Sequence, residues 1–251
     1  MTRKTSEEPL WVFLALLVLA CPVATAQQMQ PQARILTRSS SEIRGKITVS
    51  RKEDLHNEHL RDLLLGRYPA HGARDAALLI NPTATVIIPL SEKAVVYLES
   101  EELNRGRYAP PDKRSVLNQK DLQFRPQVLP ILVGSTVEFP NRDNLFHNVF
   151  SYSEAKEFDL GRYPRDDSRS VTFDKPGVVR VYCDIHSHMN ANILVLPNPH
   201  FTTPDNDGWY VIPHVPEGKY VVVFWYDRSV VERRPLELKA GEQLEVDFTF
   251  Q

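Results

Sequence analysis

Cys183, His186, His188 and Met189 fall within seven residues, in the stretch "CDIHSHM". A lone cysteine by itself reads as a small buried hydrophobe. A thiolate, an imidazole and a thioether on one short turn read differently. A mononuclear copper site of the blue type takes one thiolate and two imidazoles in a near-trigonal plane, with a weak thioether on the axis. The spacing C-x2-H-x2-M supplies three of these donors from Cys183, His186 and Met189. The second imidazole has to come from elsewhere, and "NRDNLFHNVFS" offers His147. His188 competes with Met189 for the fourth place. Positions three apart share one side of a tight turn, which favours Met189 with His186. A direct neighbour in extended chain points the other way, which sends the His188 ring out of the site.

Strands must hold these donors. From residue 118 the pattern is strongly β. "LQFRPQVLPILVGSTVEFPN" alternates, with a turn at Gly134–Ser135; "SRSVTFDKPGVVRVYC" reads as two strands around the tight turn "KPG"; "ANILVLPNP" is a third strand. Strands at short spacing with turn residues between them predict a sandwich over 118–198. A second β unit follows over 199–251. There "TTPDNDGWYVIPHVPEGKYVVVFWYD" carries turns and a dense aromatic strand, and "LELKAGEQLEVDFTF" reads as a hairpin turning at Ala240–Gly241. Upstream, 27–117 holds strand-like segments at 42–50, 84–90 and 93–100 and one short helix at 51–66. His56 and His59 would share a face of that helix, and they read as solvated residues rather than ligands, as do His200 and His214.

The first residues read as a secretory leader. Arg3 and Lys4 precede the apolar run Leu10 to Ala20, and "ATA" ends at Ala26, so cleavage after Ala26 would leave 225 residues. That predicts a periplasmic or secreted protein. "VLAC" at Cys21 is the rival signal, a lipid-anchoring box, and the clean A-x-A downstream outweighs it. No later stretch is apolar for long enough to form a transmembrane helix. Of the two cysteines, Cys21 would leave with the leader, and a single thiol closes no internal disulfide. The formal net charge of −2 gives no electrostatic footprint for nucleic acid.

"VGSTVEFPNRDNLFHNV", "VTFDKPGVVRVYC" and "CDIHSHM" together resemble the cupredoxins, the plastocyanin and amicyanin family of blue copper proteins. The resemblance covers about 118–197, and the ligand loop has the short form that amicyanins use. It implies a Greek-key β-sandwich with one type 1 copper per chain. His147, Cys183 and His186 would be the equatorial ligands and Met189 the axial one. It implies that Asn148 ties the two ligand loops together. It also implies a docking patch of Leu145, Phe146 and Ile185 around His186. Where amicyanin-type loops usually place proline before the second histidine, this chain has Ile185.

The wider chain resembles bacterial exported plastocyanin-like proteins, sometimes labelled methylamine-utilisation proteins, in which a smaller transthyretin-like sandwich follows. That module is also seen as a regulatory appendage of carboxypeptidases. Its first strands usually read like "RGKIT" and "AVVYLE", so 42–50 and 93–100 belong either to the tail module or, for 93–100, to the copper unit. The function implied is a one-electron carrier serving an unidentified redox partner protein, not an enzyme. The alternative is a copper-binding or surface-associated scaffold protein whose tail module binds a partner or a glycan.

Overall fold

The computed structural model describes residues 40–49 and 89–250. The expected leader, the helix at 51–66 with His56 and His59, and most of the segment 84–90 lie outside the described residues. The strands, in chain order, are β1 (Glu42–Val49), β2 (Ala94–Glu99), β3 (Ser115–Val116), β4 (Asn118–Lys120), β5 (Gln123–Arg125) and β6 (Val128–Leu132). Next come β7 (Thr136–Pro140), β8 (His147–Ser153), β9 (Lys156–Tyr163), β10 (Ser168–Thr172), β11 (Gly177–Tyr182) and β12 (Asn190–Leu196). The last are β13 (Phe201–Thr202), β14 (Trp209–Ile212), β15 (Gly218–Tyr226), β16 (Ser229–Leu238), β17 (Gln243–Glu245) and β18 (Phe248–Phe250). Among the described residues, two single-turn helices interrupt them, Leu90–Lys93 and Glu101–Asn104. Leu90 therefore begins a helical turn rather than ending a strand. The protein is an all-β sandwich fold.

The middle of the chain builds a five-stranded sheet, β6-β12-β11-β8-β9, facing a three-stranded sheet, β10-β7-β3. Side chains alternate between the faces of a strand. On β11 this sends Val179 and Val181 inward and leaves Val178, Arg180 and Tyr182 outside. They meet Val137 and Phe139 of the opposite sheet, together with Phe173, Val149 and Ile193, in one core. Each fully buried side chain of this kind contributes about 1.5–3 kcal/mol. The "KPG" turn does not close a hairpin. β10 pairs with β7 and β11 pairs with β8 and β12, so the turn carries the chain from one sheet to the other.

The ends of the chain build two more sheets. β1 pairs with β14, β17 and β18, and β2 pairs with β13 and β15. Both early strands thus lie among tail strands, around a core of Ile43, Val96, Val222, Phe224 and Phe248. Close approach explains Gly45: a Cβ there would meet the Val246 carbonyl oxygen at 2.0 Å. The hairpin expected at Ala240–Gly241 does not form. β16 pairs with β15 and β17 runs parallel to β1, because Leu244, Val246 and Phe248 pack against the core from the opposite sheet. Ser41 supports this crossing, its hydroxyl donating to the Lys239 carbonyl and accepting the Gly241 N–H. A third cluster, Val95, Val128, Leu194, Leu196 and Trp225, joins the two cores.

Candidate metal centre

Period-two alternation delivers three of the four expected donors to one end of the middle sandwich. His147 opens β8 and shares its inward face with Val149 and Ser151. Cys183 lies two residues beyond Val181, and Met189 two residues before Ala191, so both continue inward rows. β11 lies between β8 and β12, and Tyr182 faces both Phe150 and Asn190. The three strand ends are therefore side by side. His186 comes from the loop between β11 and β12. That loop is a tight turn, since the Met189 N–H donates to the His186 carbonyl at 2.9 Å and the Cys183 N–H to the Met189 carbonyl at 3.3 Å.

The donor atoms of His147, Cys183 and His186 all lie within 4.8 Å of one another. His147 Nδ1 and His186 Nδ1 are 3.0 Å apart, and Cys183 Sγ lies 3.9 Å and 3.8 Å from them. His147 is fully buried, and Cys183 and Met189 are nearly so; Met189 packs in the same core as Cys183. The Met189 backbone carbonyl accepts the Cys183 N–H, which places the residue next to Cys183 in the chain's turn. The His188 ring sits outside the group, with Nε2 3.0 Å from the Leu122 carbonyl oxygen and its centroid 6.2 Å from that of His186.

The Cys183 thiol and the His147 imidazole shift each other in opposite directions. Burial pushes the Cys183 thiol up, but bonds from the His147 and His186 rings and from the Asn148 and Ile185 amides outweigh it and bring it down to about 5. The sulfur is a thiolate at neutral pH, the form that binds metal. Burial pushes His147 down, yet the Asp143 carboxylate and the Cys183 sulfur raise it to about 8. One soft thiolate with two imidazoles is the donor chemistry that copper takes.

Some of the supporting residues were not legible as such. Asp143 Oδ2 lies 2.8 Å from His147 Nε2, on the side of the ring away from the donor group. Its carboxylate also accepts the Asp121 and Leu122 amides, at 2.7 Å and 3.0 Å. Burial raises that carboxyl, but bonds from His147 and these two amides hold it below its ordinary range. Asn141 Oδ1 in turn accepts the Asp143 N–H at 2.9 Å. The available signal was "DNLFH", a carboxylate four residues before a histidine. Asn148 does bridge the two ligand-bearing segments, through the Asp184 amide, and donates to Asp159 Oδ1 at 2.7 Å. Of the expected patch, Phe146 is 56% exposed, while Leu145 and Ile185 are half-buried.

Residues 113–196 match the family of copper binding proteins described as plastocyanin/azurin. No curated protein matches the chain. Among solved structures, a copper-containing nitrite reductase from Thermus scotoductus SA-01 is 28% identical over 36% of this chain, with a TM-score of 0.33; the chain spans 24% of its length. A reduced amicyanin variant is 21% identical over 40% of this chain and 98% of its own, with a TM-score of 0.32. A purple cupredoxin from Nitrosopumilus maritimus is 23% identical over 33% of this chain and 99% of its own, with a TM-score of 0.30. The segment that carries His147, Cys183 and His186 matches the family of copper binding proteins described as plastocyanin/azurin.

Proposed function

We propose that this chain is an exported one-electron carrier with one type 1 copper per chain. His147, Cys183 and His186 are its equatorial ligands and Met189 is the axial one. The observation that supports this most is the convergence of a thiolate and two imidazoles on the core side of a sandwich end. Copper held there supplies a one-electron couple. The protein's part is to fill the coordination positions with its own side chains, exclude water by burial, and resist rearrangement through strands that end side by side. A carrier needs no open position for substrate, unlike a catalytic metal site. Leu145, Phe146 and Ile185 would form the docking patch for a redox partner protein.

Export rests on the leader-like residues 1–26. Intact-mass analysis of exported protein checks it: a chain starting at Gln27 supports it, and a diacylglyceryl group on Cys21 would replace it with a lipid-anchored form. The copper reading is checked by the visible spectrum of the Cu(II)-loaded protein. Thiolate-to-copper charge transfer should give an intense band, and a colourless loaded protein rules the reading out.

A second reading makes the transthyretin-like tail a binding module for a glycan or a partner. Trp209 favours it: the ring is 51% exposed on β14, with the Lys46 ammonium 5.2 Å from its centroid. The exposed indole offers the ring face left open by Lys46 as an apolar surface for a sugar ring. Loss of glycan binding in Trp209→Ala, with the visible band intact, would establish that role beside electron transfer.

A further inference from the structure

The two-residue turn between β4 and β5 touches both metal-bearing loops. Lys120 pairs with Gln123, so Asp121 and Leu122 alone make the turn. Both have left-handed backbone, at φ 56° and 58°. Glycine and asparagine are the usual residues for such a turn, and leucine is a poor one. Backbone held in so unfavourable a region persists where the surroundings over-determine it, and functional sites are where this collects. Here the surroundings are the donor group's own supports. Asp143 accepts both turn amides and the His147 ring, and the His188 ring reaches the Leu122 carbonyl oxygen. Asp143 precedes His147 on one loop, and His188 lies between His186 and Met189 on the other. The turn therefore stands between the two loops with a bond to each.

We infer that the Asp121–Leu122 turn clamps both ligand loops, with Asp143 as a positioning residue for His147 and His188 as the tie on the second loop. This rests on the copper reading for its redox consequence, and on geometry alone for the clamp. A carboxylate facing Nε2 holds the ring proton there, which leaves Nδ1, on the inner side, with its lone pair free for a metal. A partner on the far nitrogen of a metal-binding imidazole fixes its orientation and raises its donor strength. An anionic partner stabilises the more highly charged oxidised metal, so Asp143 should lower the reduction potential. The extra histidine of "CDIHSHM" then has a role outside the ligand set, because its ring anchors the loop to a carbonyl.

The test uses the full chain, with Asp143→Asn, Asp143→Ala and His188→Ala. In metal-free, 15N-labelled wild type at alkaline pH, where the ring is neutral, long-range ring couplings should show the His147 proton on Nε2. Asp143→Ala should lose that preference and weaken copper binding by about 10- to 100-fold. Asp143→Asn keeps the size and one acceptor oxygen; with that oxygen on His147 Nε2 and the Leu122 amide it should fold, lose the Asp121 bond, retain the Nε2–H form and raise the reduction potential. His188→Ala should keep the visible band while the Asp121 and Leu122 amides exchange faster. Unchanged ring form and copper affinity in Asp143→Ala would overturn the positioning role. Unchanged exchange in His188→Ala, or loss of the band, would overturn the tie. A wild-type protein without a blue band would defeat the copper reading only, since the ring form and the amide exchange of the metal-free chain still decide the clamp.

Discussion

Asn148 Oδ1 accepts the backbone N–H of Asp184 at 3.3 Å, so one side chain joins the strand that starts at His147 to the loop that starts at Cys183. Asn148 is buried, and its Nδ2 is also used, on Asp159. Asn148→Ala removes both bonds and leaves the part-buried Asp184 amide without this acceptor. The expected loss is about 1–3 kcal/mol of unfolding free energy. Urea denaturation measures it, and hydrogen exchange should show the Asp184 amide opening. An Asp184 amide that stays protected in the variant would mean the bridge does not hold the loop.

Cys183 and Met189 should separate colour from tuning. Cys183→Ser removes the thiolate, so the Cu(II)-loaded variant should lose the intense visible band while the imidazoles retain some copper. Met189→Leu keeps the thiolate and both imidazoles, so the band should persist and the reduction potential should move, since the axial ligand tunes it. An intense band in Cys183→Ser would show that the colour has another source.

Removing copper should not unfold the protein. Small zinc domains depend on the metal for folding because they have little else. Here Phe139, Phe173, Val149, Val181 and Ile193 are fully buried in the sandwich core that also holds Cys183, and each contributes about 1.5–3 kcal/mol whether or not a metal is bound. Chelation should leave the far-ultraviolet circular dichroism unchanged and lower the Tm without abolishing a cooperative transition. A chelated protein with no transition at all would contradict this.

Trp225 links the tail to the middle sandwich. It packs with Val128 and Leu194, and its indole N–H donates to the Asp227 carbonyl, which also accepts Asn192 Nδ2 at 3.0 Å. Trp225→Ala should cost about 3–5 kcal/mol. The visible band should be unaffected, because none of these residues touches the donor group. A change in the spectrum equal to that of a ligand variant would show that the tail reaches the metal.

Local pattern determined much of this protein. The spacing of Cys183, His186 and Met189 closes on itself as a single turn, so residue type and distance along the chain were enough to mark it. Alternation marked β7 and β11, because burial on one face of a strand leaves a period of two in the amino acids. His147 was legible as the second imidazole only with its flanking pattern, "PNRDNLFHNV".

What the tertiary structure decided was partnership. Whether "KPG" and Ala240–Gly241 close hairpins or cross between sheets depends on which strand accepts the backbone bonds, and turn residues look alike in both cases. β1 takes β17 and β18 as parallel neighbours from the far end of the chain because their apolar side chains complete a core that β1 cannot cover alone. Asp143 reads in sequence as one more surface carboxylate. Its role follows from the Asp121–Leu122 turn arriving beside it, and that arrival is set by the packing of β4 and β5 against the sandwich, a long-range choice that no local spacing records.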